Sequence, residues 1–298
     1  MVTGGRGYIG RHLVTLLASE GTQVLSYNRD YTEHDEPGVT TVQGELYEIP
    51  RMIELCREHD VDRIIHTAGL SHPDLSIKLP LTTITANIEG TLSVLETARV
   101  AGVPRFVNFS SECAYGHVDG PVTEDVPLDP ITPYGVTKAT GEMLGRNYTD
   151  LHDMEVVSLR VTEVYGPENP MPELMRDMLR AAIDGEPYRL EAGADHRIRF
   201  VHVKDVALAA KLAATVDWPL ARAYNIRGDR EVVVSELVEM VRELFPGAQI
   251  EIGPGHLHLD RQGPWEMNLA EADLGYKPKH PLSEGVREYA DWLRERPY

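Results

Sequence analysis

The stretch that most restricts the fold is "VTGGRGYIGRHL" at residues 2 to 13, where Gly4, Gly7 and Gly10 stand between a short apolar run and a helical pattern. Small residues at a strand-to-helix turn let the backbone approach a pyrophosphate, whose charge then faces the N-terminus of the following helix. A glycine triplet alone is a weak signal. It gains weight from its place at the first strand-helix junction of an alternating chain. The leading strand is short, because only Met1 and Val2 precede the turn at Thr3.

That alternation runs on through the first half of the chain. "QVLSYN" (23 to 28), "DRIIHTA" (62 to 68), "RFVNFSS" (105 to 111) and "EVVSLRV" (155 to 161) are β-rich runs of buried-strand length. Between them lie "GRHLVTLLASEG", "MIELCREHD", "TANIEGTLSVLETARVAG" and "PYGVTKATGEMLGRNYTDL", each apolar at helical spacing. Strands alternating with helices predict a parallel sheet covered on both faces, and right-handed crossovers make it an α/β, Rossmann-type doubly wound fold. After Gly166 the prolines cluster at 167, 170 and 172 and the regular alternation stops. The expected organisation is a nucleotide-binding domain over 1–165, rejoined by 198–228, with a smaller C-terminal substrate lobe built from 166–197 and 229–298.

Composition excludes several classes of function. With 42% hydrophobic and 26% charged residues, no apolar run of membrane-spanning length and no charged-then-apolar leader, a cytoplasmic protein without a membrane partner is expected. A net charge of -18 repels nucleic acid, while a local basic pocket could still hold a small anion. Cys56 and Cys113 are the only cysteines and lack metal-ligand spacing, so free thiols and no metal are expected.

Dinucleotide turns of this kind usually place an acid at the end of the second strand to hold the adenosine ribose. Here that position is Asn28, followed by Arg29. Losing the acid removes repulsion toward a 2′-phosphate, and Arg29, with Arg6 in the turn, offers it a partner. The expectation for an NAD(P) cofactor therefore tilts to NADP over NAD, against the competing reading of two solvated surface arginines.

Tyr134 and Lys138 in "PYGVTK" are four residues apart after Pro133, which suits the first turn of a helix, so both fall on one helical face. An ammonium beside a phenol lowers its pKa and makes it a usable base. Ser111 supplies a hydroxyl at the end of the "RFVNFSS" strand, on the edge where open α/β sheets bind ligands.

With these residues in place, the chain resembles the extended short-chain dehydrogenase/reductase family, the NAD-dependent epimerases and dehydratases of nucleotide sugars. The resemblance is carried by "TGGRGYIG", "GEL" at 44 to 46, "HTAGLSHPD" at 66 to 74, "NIEGT" at 87 to 91, "SSECAYG" at 110 to 116, "YGVTK" at 134 to 138, "LRVTEVYGP" at 159 to 167, "RFVHVKDVA" at 199 to 207 and "LGYKP" at 274 to 278. These pieces run in family order over nearly the whole chain. The resemblance implies that Tyr134 takes a proton from a substrate hydroxyl, Ser111 hydrogen-bonds the same oxygen, and Lys138 holds the nicotinamide ribose while tuning Tyr134. Hydride then passes from the substrate carbon to the nicotinamide. It further implies cofactor contacts from Tyr8 and Ile9 in the glycine turn, from Glu45 and Leu46 beside the adenine, from Ala68 and Gly69 along the diphosphate and ribose, and from Asn87. On the substrate side it implies Ser71, Glu112, Cys113, Glu163, Arg199 and Arg261, and it implies a homodimer through segments 83–102 and 134–150.

Three positions depart from the family pattern. Its 4,6-dehydratases place an Asp-Glu pair after the catalytic hydroxyl residue, whereas this chain has Glu112 and Cys113. A cysteine does not replace the carboxylate that abstracts the proton beside the keto carbon, which argues against dehydration and decarboxylation. The asparagine of "F-N-x-Y-G-P" is Glu163 here, and a carboxylate near a diphosphate repels it by roughly several kcal/mol at an effective dielectric of about 20. The "R-x-G-D" loop reads Arg261, Gln262, Gly263, Pro264, keeping the arginine and losing the acid.

Three readings follow from these residues. The first is a sugar or nucleotide-sugar epimerase working by transient hydride transfer. The second is an NAD(P)-dependent dehydrogenase or reductase of a non-nucleotide polyol, sugar acid or hydroxy-ketone, favoured by the altered clamp. The third is an inactive cofactor-binding regulator, which the intact Ser111, Tyr134 and Lys138 oppose.

Overall fold

The structure, a computed structural model, describes residues 1–32, 34–217, 221–257 and 260–296. The glycine turn joins a two-residue strand, β1 (Val2–Thr3), to helix α1 (Tyr8–Ser19), and the alternation continues through β2 (Val24–Asn28), β3 (Val39–Gln43), α2 (Ile49–Glu58) and β4 (Arg63–His66). Short helices α3 (Pro73–Lys78) and α4 (Pro80–Ile84), a π-helical turn over Thr85–Glu89 and α5 (Gly90–Ala101) lead to β5 (Arg105–Ser111). Beyond a long loop, α6 (Pro133–His152) carries the chain to β6 (Glu155–Val161) and the short β7 (Glu163–Tyr165). The remainder is α7 (Leu174–Asp184), β8 (Tyr188–Leu190), β9 (Arg197–Ile198), β10 (Phe200–His202), α8 (Val203–Thr215), β11 (Ala223–Ile226), β12 (Val232–Val233), α9 (Val234–Leu244), β13 (Ile250–Ile252), α10 (Asn268–Leu274) and α11 (Leu282–Arg294).

The central sheet has seven strands in the order β3-β2-β1-β4-β5-β6-β11, all parallel. Strand order reverses at β1, so the glycine turn and the segment after β4 face each other across a crevice at the carboxyl ends of the strands. One strand, β3, lies outside the runs expected from sequence. Its "VTTVQ" is partly exposed along its whole length at the sheet edge, so it lacks the apolar signature of its neighbours.

Each face of the sheet has its own core. Leu13, Val14 and Leu17 of α1 pack with Val206, Ala209 and Ala210 of α8 against one face. On the other, Met52 and Cys56 of α2 meet Val94 and Leu95 of α5 and Tyr148 of α6. A third core, with Met178, Leu237, Val241, Val286 and Tyr289, builds the smaller lobe from α7, α9 and α11. The expected boundary needs one correction, since 229–298 is not wholly in that lobe. Ala270, Leu274 and Tyr276 pack into the sheet core, and Tyr224 of β11 donates to Asp273 at 2.8 Å, so α10 covers the edge strand.

Candidate active site

The glycine turn is closed by backbone contacts that leave no room for side chains. A Cβ on Gly10 would lie 2.1 Å from the Gly4 carbonyl oxygen, and Gly4, at φ 70°, would place one 2.8 Å from the Ala68 backbone. Tyr8 reaches out of the turn to donate to the Gly166 carbonyl at 3.2 Å, while Ile9 packs on the sheet core. Asn28 is buried beneath the turn. Its Oδ1 accepts from the Arg6 backbone N–H at 2.8 Å, and its Nδ2 donates to the Ser26 carbonyl and hydroxyl. The expected ribose contact from the Asn28 side chain is thus replaced by support of the turn itself. Arg29 is exposed and lies 3.4 Å from Asp30, and Arg6 donates to the Thr32 carbonyl at 2.8 Å, so the two arginines do not form a joint fork.

The opposite wall is the segment after β4, with Ala68 and Gly69 facing the turn and Ser71 at the exposed rim. Asn87 holds it. Its Oδ1 accepts from the Leu70 N–H at 2.8 Å, and its Nδ2 donates to the Leu70 carbonyl at 2.9 Å and to Thr137 of α6 at 3.0 Å. The predicted cofactor contact from Asn87 is therefore a positioning role, because these bonds occupy the amide on both sides. Where an adenine contact is expected, Glu45 is exposed and its carbonyl accepts from Tyr27 at 2.9 Å, while Leu46 packs beside Gly90.

Three predicted residues converge at the carboxyl end of β5. Ser111 is its last residue, and its hydroxyl accepts from the Cys113 N–H at 3.2 Å, capping a single 3-10 turn over Glu112–Ala114. Helix α6 starts at the Thr132 cap with Pro133 in its first turn, and the Tyr134 N–H donates to Ser76 at 3.0 Å. Lys138 lies one turn on. Its ammonium sits 5.5 Å from the Tyr134 ring and donates to the Phe109 carbonyl at 2.9 Å. Burial lowers Lys138 from its ordinary 10.5 to about 8. The expected lowering of the Tyr134 phenol is not produced by this arrangement. Burial, helped by the nearby Cys113, holds it well above the usual tyrosine range, against the hydrogen bond with Ser111.

The residues expected to face substrate hold more acid than the sequence indicates. Arg199 is 3% exposed, and one terminal nitrogen donates to the Gln262 carbonyl at 2.6 Å and the Gly263 carbonyl at 2.9 Å. Its other edges stand 3.6 Å from Glu112 and 3.5 Å from Glu231. Burial raises Glu112 to about 8 against the pull of Arg199, and raises Glu163 to about 7. Cys113 is raised well above the ordinary thiol range by burial and by Glu112, which keeps it protonated and a poor nucleophile. Arg261, the expected anion clamp, is exposed. Its backbone N–H donates to His117 at 3.0 Å and its carbonyl accepts from Val118, so it is the backbone of this loop that is tied to the site.

Two sets of residues escaped sequence reasoning. Glu231 also accepts from the Trp265 N–H at 2.6 Å, a pairing across chain segments that no local pattern reveals. Glu142 is bonded to Ser110 and to Arg160, and here a signal existed, because Tyr134, Lys138 and Glu142 recur every fourth residue along one face of α6.

A glycine cradle at a strand-order reversal, beside a serine, tyrosine and lysine at the end of β5, is the setting in which comparison with known proteins decides the family. The family model for the NAD dependent epimerase/dehydratase family matches residues 1–226. The chain belongs to this family. It is an enzyme of the extended short-chain dehydrogenase/reductase type. Among curated relatives it is similar to a dTDP-glucose 4,6-dehydratase of Streptomyces antibioticus, at 29% identity over 99% of this chain and 92% of that protein. It is also similar to a UDP-glucose 4-epimerase of Lactobacillus helveticus, at 32% identity over 100% of this chain and 97% of that one. Among solved structures, MoeE5 in complex with UDP-glucose and NAD superposes with a TM-score of 0.88 at 29% identity, covering 99% of this chain and 98% of the other. The UDP-glucose 4-epimerase of Thermus thermophilus complexed with NAD gives 0.87 at 26% identity, with 99% of each chain covered. The family thus spans epimerases and dehydratases.

Proposed function

We propose that this family member is an NAD-dependent nucleotide-sugar epimerase acting in the cytoplasm. The observation that carries the reading is the convergence of Ser111, Tyr134 and Lys138 beside the glycine cradle, with Cys113 in place of the carboxylate that elimination of water requires. The cradle fits a dinucleotide, because the approach to Gly4, Gly7 and Gly10 is bare backbone at the start of α1. NAD is the better choice over NADP. Asp30 already neighbours Arg29 and would repel a 2′-phosphate, and the two solved structures described above are complexed with NAD.

When bound, the nicotinamide accepts and returns a hydride. Tyr134, whose phenol must first be ionised against the burial that raises it, would take the proton of the substrate hydroxyl and later give it back, and Ser111 would hydrogen-bond the same oxygen. Lys138 supplies a positive charge near Tyr134 and a donor for a ribose hydroxyl. Glu112 and Glu163 face the sugar, and Ala68, Gly69, Glu45 and Leu46 line the cofactor. A homodimer through α5 and α6 completes the reading, because Leu92, Val136, Met143 and Leu151 are exposed on those helices.

The test is incubation with NAD and UDP-glucose, followed by NMR for the 4-epimer and by absorbance for reduced cofactor. Interconversion without accumulation of reduced cofactor is expected, and Tyr134→Phe should lower kcat by roughly a hundredfold or more. No turnover of UDP-glucose, with stoichiometric NADH from a free polyol or sugar acid, would instead support the second reading, a dehydrogenase of a non-nucleotide substrate. That reading is favoured by one observation: Arg199 is engaged by two acids and two carbonyls, which leaves no free fork for a diphosphate.

A further inference from the structure

The Glu163 carboxylate has no hydrogen-bond or ion-pair partner among the described residues, although the residue is largely withdrawn from solvent. Its position is fixed by backbone: it opens β7 opposite Phe200 of β10, and its N–H donates to the Arg199 carbonyl at 3.1 Å. Its charge acts on Glu112, Cys113 and Tyr134 on one side and on Tyr8 and Glu173 on the other, which places it between the residues that follow β5 and the starts of α1 and α7. Glu112 follows Ser111 directly and leans toward Arg199, 3.6 Å away.

Among the described residues no cation pairs with Glu163, and the cation that pairs with Glu112 is shared with other acceptors. Arg199 is engaged by Glu112, by Glu231 and by two carbonyls, Lys138 donates to Phe109, and Arg261 is exposed. The pocket beside Ser111 therefore offers acceptors, and it carries negative charge once the pH rises above the range near 7 in which Glu163 ionises. A buried acceptor without a partner is satisfied by a hydroxyl or an ammonium and repels an anion.

We infer that Glu163 and Glu112 make this pocket selective for a neutral or amino sugar ring, and that they exclude a ring carrying a carboxylate beside the reacting carbon. The inference rests on the reading of this cleft as the sugar site, and it assigns the class of sugar.

The test compares UDP-glucose with UDP-glucuronic acid, which share a nucleotide and differ in a hydroxymethyl group against a carboxylate. Binding of each to the NAD-loaded protein is measured by calorimetry at about pH 8.5, where Glu163 is ionised, for the wild type, Glu163→Gln and Glu112→Gln. The wild type should bind UDP-glucose at least about tenfold more tightly, and Glu163→Gln should shrink that ratio by about tenfold through tighter binding of the uronate. A ratio near one, a preference for the uronate, a ratio that survives both substitutions, or no binding of either ligand overturns the inference. Because binding is the readout, failure of the epimerase reading shows separately, as absent interconversion with the binding ratio intact. Should Glu112→Gln fail to fold, Glu163→Gln decides alone.

Discussion

Arg160 grips Glu142 through a bidentate ion pair. Its Nε lies 3.0 and 3.1 Å from the two carboxylate oxygens and a terminal nitrogen 2.8 Å from one, with the side chains 7% and 9% exposed. The pair joins β6 to the face of α6 that carries Tyr134 and Lys138. Glu142 also accepts from Ser110, next to Ser111 on β5, and Arg160 donates to the Tyr115 hydroxyl at 2.6 Å. The strand with the serine and the helix with the tyrosine are thereby locked to one another.

Removing one partner leaves a buried charge without its counterion. Glu142→Gln should destabilise the protein by about 3–5 kcal/mol, read by chemical denaturation. The double variant Glu142→Leu with Arg160→Met should recover most of that stability, since apolar replacements of similar size remove the unpaired charge. Recovery of stability without recovery of activity would show that the pair positions the site.

Gly10→Ala should weaken NAD binding at least about tenfold and cost roughly 1–3 kcal/mol of stability, because its methyl would overlap the Gly4 carbonyl and push the turn open. Gly120→Ala is the matched control. A Cβ there meets nothing within 4 Å, and the variant should bind and unfold like the wild type.

Glu163 gives the protein a pH-dependent liability. Burial raises its folded-state pKa from 4.5 to about 7, so the folded chain holds this proton more tightly than the unfolded one. Stability from this group is fully present below about pH 4.5 and is lost as pH rises through 7. Glu163→Gln should therefore raise the melting temperature at about pH 8, by an amount corresponding to about 1–3 kcal/mol, and make little difference near pH 4.5. Thermal scans across that window check the sign, and equal gains at both pH values would contradict it.

Met143 is 62% exposed on α6 and Leu92 40% exposed on α5. If these helices form the subunit interface, Met143→Asp combined with Leu92→Asp should halve the mass seen by light scattering. The variant should keep its far-ultraviolet dichroism, because neither side chain belongs to the core.

The strands of the main sheet were legible wherever both faces are buried, as in "RFVNFSS" and "EVVSLRV", whose spans match β5 and β6. Strand β3 was not, because a half-exposed edge strand with two threonines reads like a loop. Ser111, Tyr134 and Lys138 were legible because helical spacing and strand-end position are local properties. The roles of Asn28, Asn87 and Arg199 were not, since their partners Arg6, Leu70 and Gln262 lie 22, 17 and 63 residues away, beyond any window that reads one element at a time. Arg261 shows the converse. Its motif position suggested a clamp, yet the loop turns its side chain outward while Gln262 points in, donating to the Glu112 and Gly116 carbonyls.

The π-helical turn at Thr85–Glu89 makes the number of residues there matter more than their kind. A π turn accommodates one residue beyond the α-helical repeat, and that surplus lets Asn87 reach Leu70 while α5 continues in register with the sheet. Deleting one of the five would leave an ordinary α-helix, which keeps the buried stripe of Val94, Leu95 and Ala98 in the core and loses the widened turn that presents Asn87 to Leu70. The surplus residue therefore serves the crevice and not the core: its loss should leave the fold standing and slacken the wall that carries Ala68 and Gly69.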